Sequence, residues 1–245
     1  MTLRQYLKTI EKFLQDYLKK TGAEGYVLGL SGGVDSTLVA ALARKAVGKD
    51  KLLAVVIPIE SNPDDLGDAL EIANILDINA TIFDASDNYR LYMNKFLSNK
   101  EVLDKPTFAN LKVRMRMSIL YAYAQAHKSL VLGTDNADER YTGYFTKWGD
   151  GACDLMPIVH LTKAEVVEAA MIYGVPERLA KRIPTAGLFA GQTDEKEMGV
   201  TYKDLDAYLL GKKVKPEVEK RIEYLHAVSE HKRKPIPSPK AFIRK

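Results

Sequence analysis

The 245 residues, 46% hydrophobic and 28% charged, suffice for one sizeable α/β core and are too few for two ordinary domains, so one domain over residues 1–245 is expected. A net charge of +4 suits anionic small molecules as well as nucleic acid and selects neither. The lone cysteine, Cys153, excludes an intramolecular disulfide and any Cys-x-x-Cys redox or zinc-ribbon centre. No apolar run has membrane-spanning length and no cleavable leader pattern opens the chain, so a cytoplasmic protein without a membrane partner is expected.

From Thr2 to Lys20 apolar residues recur at helical spacing, Thr2 and Gln5 are placed as a capping box, and Gly22 is placed to end the helix. Short apolar runs at Tyr26–Leu30, Leu52–Ile57 and Ala80–Phe83 read as strands. Between the last two, Asn62-Pro63-Asp64-Asp65 caps a helix through Leu76. The strand–helix alternation predicts an α/β fold: a doubly wound parallel sheet with helices on both faces and ligands gathered at the carboxyl ends of its strands.

The first strand runs into Gly29-Leu30-Ser31-Gly32-Gly33-Val34-Asp35-Ser36, and a helix-prone segment follows from Thr37. A strand, a Gly-rich turn and a helix in that order bring backbone N–H groups together on an anion, and the hydroxyls of Ser31, Ser36 and Thr37 can add donors. The lysine of kinase-type phosphate loops is missing. Asp35 stands there instead, and a carboxylate beside phosphate calls for a divalent cation between them. Such a loop suits a departing pyrophosphate with its metal better than transfer of a γ-phosphoryl group.

A polar stretch through Lys105-Pro106 precedes a long helix predicted from Asn110 to His127. Its apolar residues cover so much of the circumference that it is either deeply buried or shared with a second subunit. A fourth strand, Ser129 to Gly133, delivers Thr134-Asp135-Asn136-Ala137-Asp138-Glu139 to the edge that holds the Gly-rich loop. Tyr141 to Met156, with three glycines among aromatic and charged residues, reads as a mobile lid. Thr162 with Glu165, and Leu161 with Val166, mark a helix start. Lys163 then occupies a first turn where a cation is misplaced unless an anion lies nearby. A glycine-bearing loop from Ile183 to Gly199, helices at Tyr202–Leu210 and Pro216–Ser229, and a basic tail from His231 complete the chain.

The Ser-Gly-Gly-x-Asp-Ser loop resembles that of the N-type ATP pyrophosphatases, and the resemblance narrows over nearly the whole length to the ammonia-dependent NAD synthetases. It rests on Leu30–Ser36, Asn110–Met117, Gly133–Asp154, Leu161–Lys163, Pro184-Thr185-Ala186, Gly191–Glu195 and His231-Lys232-Arg233. It implies an adenine nucleotide alpha hydrolase-like, Rossmann-like fold. It also implies a reaction in which the carboxylate of deamido-NAD attacks the α-phosphate of ATP, pyrophosphate leaves, and ammonia displaces AMP to give NAD. Carried over by motif, Asp35 and Glu139 look like Mg2+ ligands, and Thr134, Lys163 and Thr185 like ATP contacts beside the loop. Arg114, Lys147, Asp154, His231 and Lys232 are expected around deamido-NAD. Asp150, in Lys147-Trp148-Gly149-Asp150-Gly151, is the candidate for binding and deprotonating ammonium, so Asp35, Lys163 and Asp150 form the catalytic set. A homodimer with the dinucleotide near its interface is expected, with no nucleic-acid partner. Gly187 and Ala190 depart from the family pattern, which has acidic residues there.

Duller roles remain open for single residues: Lys112 and Arg114 as solvated helix positions, Trp148 as packing, Asp135 and Glu139 as the acidic first turn of a helix. A tRNA sulfur transferase shares the loop but typically relays sulfur through several cysteines, and this chain has one. A non-catalytic adenine-nucleotide sensor would have no use for Asp35, Glu139, Lys163 and Asp150 together. The motifs run from Gly29 to Arg233, so no glutaminase is expected, and Cys153 reads as a small filler whose acidic neighbour Asp154 disfavours the thiolate.

Overall fold

A computed structural model describes residues 1–100, 104–182 and 193–243. Four parallel strands, β1 (Gly25–Gly29), β2 (Leu52–Val56), β3 (Asn79–Ile82) and β4 (Ser129–Val131), lie in the order β3-β2-β1-β4. Tyr26 sits opposite Leu52 on one side and Leu130 on the other. The order turns back beside β1, so the carboxyl ends of β1 and β4 diverge and leave a crevice between them, the place where open parallel sheets bind ligands.

The period of two along a strand divides the core. Tyr26, Leu28, Ala54 and Val56 join one apolar cluster, with α1 (Leu3–Thr21), α2 (Val34–Val47), α3 (Pro63–Ile75) and α7 (Lys163–Ile172). Val27 and Val55 point the other way, into a second cluster with α4 (Ser86–Ser98) and α5 (Lys105–Ala126). Helices therefore cover both faces, as the alternation of elements predicts.

The expected capping boxes form. Thr2 and Gln5 close the start of α1, and Gly22 ends it in the left-handed conformation. Thr162 and Glu165 do the same for α7. Three helices were not foreseen: α4, α8 (Glu177–Ala180), and a five-residue helix over Asp194–Met198 inside the stretch read as a glycine-bearing loop. In α4 only Tyr89 is buried while Leu91, Tyr92 and Leu97 stay exposed, so its apolar residues give no inward stripe to read. The four-residue α8 is too short for a periodic signal. The long helix starts at Lys105, not Asn110, because Asp104 caps it and Pro106 is tolerated in its first turn. Only Ala109, Lys112, Val113 and Ala124 of α5 are buried, so the first of its two expected fates, deep burial, is not met within the chain.

The segment 141–156, read from the sequence as a lid, packs closely against its neighbours here. After α6 (Ala137–Thr142) it packs as a wall, and its glycines are small because neighbours crowd them. A Cβ on Gly149 would lie 2.8 Å from Val113, one on Gly143 would overlap Ser229, and one on Gly151 would overlap Phe145. Gly149 and Gly151 serve close approach, and Gly143 also takes the left-handed conformation that ends α6. The chain ends in α9 (Asp194–Met198), α10 (Tyr202–Leu209) and α11 (Pro216–Val228), which share a small cluster around Leu205 and Ile222.

Candidate active site

The Gly-rich loop is built as its sequence requires. Gly32 has φ +83°, and a Cβ there would stand 2.8 Å from the carbonyl oxygen of Asp65 on α3. Gly33 starts α2 without a side-chain cap, so the first turn of α2 faces the crevice with donors that a ligand can take. The hydroxyls behave differently from expectation. Thr37 is buried and donates back to Gly33 O at 2.8 Å, and Ser36 Oγ donates to the same carbonyl at 3.0 Å. Ser31 Oγ accepts from Gly33 N at 3.2 Å. They hold the turn in shape. The loop's anion-binding capacity therefore resides mainly in its backbone.

Three elements meet beside this loop. Asp35, on the first turn of α2, accepts from Asn136 Nδ2 at 2.8 Å through one oxygen and from Lys163 Nζ through the other. Glu139, on the first turn of α6, has Oε1 3.9 Å from Lys163 Nζ, while Oε2 accepts from Asn136 N at 3.1 Å. The expected misplacement of Lys163 is thus resolved inside the protein, because its ammonium joins two carboxylates. The N–H at the start of α7 is held by Asp138 and Asp206 at 2.7 and 3.1 Å. Burial works against the charged form of Lys163, but Asp35 and Glu139 outweigh it and hold its pKa above the usual lysine value. Burial, then the charge of Asp35, raises Glu139 well above the ordinary carboxylate range. Glu139 lies in the acidic first turn of α6, so the duller reading holds, and the same side chain also faces Lys163 beside the loop.

Asp35 and Glu139 fit a magnesium ion in kind and number. Magnesium is commonly held by one or two carboxylates together with substrate phosphates, and these two converge next to a phosphate-type loop. Among the described residues no group of three His, Cys, Asp or Glu side chains is placed to hold a metal without such help.

The crevice continues into a cavity of about 490 Å3, lined by the Gly-rich loop, the ends of β2 and β4, the inner side of α5 and the 143–152 wall. Asp150 lines it, its Oδ1 accepting from Thr146 N at 2.7 Å and Gly151 N at 3.1 Å. Asp150 is exposed at the cavity, and desolvation by the protein around it raises its pKa. Lys232 also lines the cavity and donates to Gly143 O and Phe145 O, both at 2.7 Å, which ties the basic tail to the wall. Thr134 lies on the lining as expected.

The other residues expected to contact deamido-NAD lie elsewhere. Arg114 donates to Lys147 O at 3.3 Å, and Lys147 Nζ donates to His231 O at 2.8 Å, a chain of contacts outside the cavity lining. Asp154 is tied to the sheet, one oxygen accepting from Val131 N at 2.7 Å and the other from Tyr121 OH at 3.3 Å. Thr185, Gly187 and Ala190 lie outside the described residues. Burial raises the Cys153 thiol to about 12, with Asp135 and then Asp154 adding to it, so desolvation rather than the adjacent carboxylate is the larger cause.

Sequence reasoning missed two residues of the site. Asn136 caps α6 and orients Asp35 in one stroke. Arg116 lines the cavity and donates to Ile57 O at 3.1 Å and Ser61 Oγ at 3.2 Å, and its burial lowers its pKa. The signal for Arg116 was available: it lies on the same helical face as Ala109, Val113 and Leu120, all of which line the cavity.

Residues 6–236 match the NAD synthase family. The chain is 44% identical over 245 residues to an NH(3)-dependent NAD(+) synthetase of Mesoplasma florum, covering all of both chains. Its fold superposes on that of an NMN synthetase from Francisella tularensis with a TM-score of 0.92 and 39% identity, covering 98% of this chain and 100% of that one. An NH3-dependent NAD synthetase from Campylobacter jejuni gives 0.80 and 29%, with the same coverage.

Proposed function

Because the chain belongs to the NAD synthase family, its reaction is the ATP-dependent amidation of deamido-NAD by ammonia to give NAD, and we propose that the cavity at the carboxyl edge of the sheet carries it out. The observation that supports this most directly is the meeting of Asp35 and Lys163, 128 residues apart in sequence, beside the Gly-rich loop. The loop's backbone donors take the β- and γ-phosphates of ATP, with Thr134 and Thr185 as further contacts. Lys163 offers a compact positive charge to the departing pyrophosphate. Asp35 and Glu139 hold Mg2+, which when bound neutralises charge on the leaving pyrophosphate. Asn136 keeps Asp35 aimed at that position.

The acid carboxylate attacks the α-phosphate, so an acyl adenylate forms and pyrophosphate leaves. Ammonia then forms the C–N bond as AMP departs. Asp150, on the cavity wall, receives ammonium. Lys232 lies inside the cavity to meet the anionic dinucleotide, and Arg114, Lys147, His231 and Asp154 bind its outer parts. The half-exposed face of α5, with Leu91, Tyr92 and Leu97 exposed on α4, supports a homodimer, which sedimentation of an active monomer would refute. No helix among the described residues is long and apolar enough to cross a membrane, and we place the enzyme in the cytoplasm. The family match over residues 6–236 supports reading residues 1–245 as one domain.

A second reading is favoured by one observation, the higher TM-score against the NMN synthetase. On it, the cavity also amidates the acid mononucleotide to NMN. Single-turnover reactions with labelled ATP, ammonium and either acid nucleotide test both readings. AMP, pyrophosphate and NAD formed together support the first. A kcat/KM for the mononucleotide equal to or above that for deamido-NAD establishes the second. Pyrophosphate release without amide from either nucleotide overturns both.

A further inference from the structure

Helix α10 opens on Tyr202, and this residue and Asp206, one helical turn further on, both address Lys163. Asp206 accepts from the backbone N–H groups of Lys163 and Ala164, each at 3.1 Å, at the start of α7. Tyr202 meets the other end of the same residue, because the Lys163 ammonium lies over its ring, 4.9 Å from the centroid. α10 thus holds Lys163 at its backbone and at its charge. Asp35 accepts one of the ammonium's protons. The aromatic face attracts the cation from another direction without adding a further carboxylate.

The hydroxyl of Tyr202 reaches two carboxylates. It donates to Asp194 Oδ2 on α9 at 3.0 Å and lies 3.4 Å from Glu139 Oε1, the oxygen that also faces Lys163. Tyr144 OH donates to the other oxygen of Asp194 at 3.2 Å, so Asp194 is itself held in place. Burial, followed by the charges of Glu139 and Asp194, raises the pKa of Tyr202, so its hydroxyl keeps its proton. Asp35, Glu139, Lys163 and Asp194 line the cavity, whereas Tyr202, 6% exposed, is not part of the lining. It touches the residues that meet substrate and not the substrate. Tyr202 also belongs to the small apolar cluster around Leu205 and Ile222. Packing there asks for a ring, and it does not ask for a hydroxyl between two carboxylates.

We infer that Tyr202 is a positioning residue for the pyrophosphate end of the cavity: its ring sets the Lys163 ammonium, and its hydroxyl fixes Glu139 Oε1 beside it. This rests on the reading of Glu139 as a Mg2+ ligand. A carboxylate oxygen has two lone pairs, so Oε1 can keep the hydroxyl while it binds a cation. Removing a group that hydrogen-bonds a metal's ligand typically weakens metal binding by about 10–100-fold. The contact with Glu139 is long, so the lower end of that range is expected.

Two substitutions separate the hydroxyl from the ring. Tyr202→Phe keeps the packing and the aromatic face, and Tyr202→Leu removes both. Mn2+ serves as the probe for magnesium, its binding in the presence of pyrophosphate followed by the paramagnetic resonance of the free ion, which needs no turnover. Tyr202→Phe is expected to raise the Mn2+ dissociation constant about tenfold. On a Glu139→Gln background the same substitution should change it by less than about twofold, because the residue it acts through is gone. Exchange of pyrophosphate into ATP at saturating magnesium should stay within about twofold of wild type in Tyr202→Phe and fall about tenfold in Tyr202→Leu, where Lys163 loses its aromatic support. Unaltered Mn2+ affinity in Tyr202→Phe, an equal loss on the Glu139→Gln background, or no Mn2+ binding by the wild type would each overturn the assignment. Equal exchange rates in the two variants would overturn the part given to the ring. A lowered melting temperature without a change in Mn2+ affinity would show Tyr202 to be packing alone. Failure of the wild type to make amide from ammonium would instead overturn the amidation reading, and the binding measurements would still decide this one.

Discussion

Lys163 Nζ, at the start of α7, is ion-paired with Asp35 at the start of α2 and lies 3.9 Å from Glu139 Oε1. Two helix N-termini thus face each other across the crevice, and each brings a charge to a shared point. A lysine at a first turn is electrostatically unfavourable alone and favourable here, because the carboxylates are nearer than the helix's own partial charge.

Removing Asp35 leaves the buried Lys163 ammonium with only the more distant Glu139, and removing Lys163 leaves Asp35 and Glu139 facing each other without a cation between them. Asp35→Asn and Lys163→Met are each expected to lower stability by about 3–5 kcal/mol and to reduce turnover by about a hundredfold or more. The double variant should regain much of the stability and none of the activity. Urea unfolding of the three variants beside their turnover numbers checks this, and a double variant no more stable than the singles would refute the pairing argument.

Gly32 must stay glycine for two independent reasons, its φ of +83° and the Asp65 carbonyl 2.8 Å from any added Cβ. Gly32→Ala is expected to cost about 1–3 kcal/mol and to raise KM for ATP more than that for ammonium, because the strain falls on the phosphate loop. Thermal melts and substrate titrations measure the two effects separately.

Cys153 gives a pH signature. Its thiol titrates at about 12 in the fold against an ordinary 9.0. Between those values the unfolded chain releases the proton and the folded chain keeps it, so stability is intact below pH 9 and falls as pH rises through the window. Cys153→Ala should flatten that decline, measured by denaturant midpoints from pH 8.5 to 11. The same variant should still make NAD from ammonium. Efficient use of glutamine by the wild type, lost in this variant, would show the thiol to be a nucleophile after all.

Arg116 has no carboxylate within ion-pair distance among the described residues, and its hydrogen bonds run to a carbonyl and a hydroxyl. A guanidinium so placed in the cavity suits an anionic part of a substrate. Arg116→Gln is expected to raise KM for ATP or for the acid nucleotide about tenfold while leaving the melting temperature nearly unchanged. Unaltered KM values for both would mean that Arg116 only braces the end of β2.

The sequence by itself determined the α/β alternation, the parallel sheet, the capping boxes of α1 and α7, and the phosphate loop, because each is a local pattern: a period of two or 3.6, a cap three residues from its partner, a glycine where φ must be positive. It also offered Asp35, Glu139, Lys163 and Asp150 as candidates, through the motifs that carry the family resemblance. The tertiary structure decided what those motifs do to one another. That Lys163 is held by Asp35 before any ligand arrives, and that the glycines of 143–151 are crowded by Val113, Phe145 and Ser229, depend on contacts the sequence does not display. Asn136 was missed for the same reason, since a cap looks ordinary until its partner across the crevice is known, whereas the helical face that carries Arg116 could be read from spacing alone. Tyr202 is the clearest case: sequence can name an aromatic residue at a helix start, but only the folded surroundings bring Lys163 over its ring and Glu139 and Asp194 to its hydroxyl.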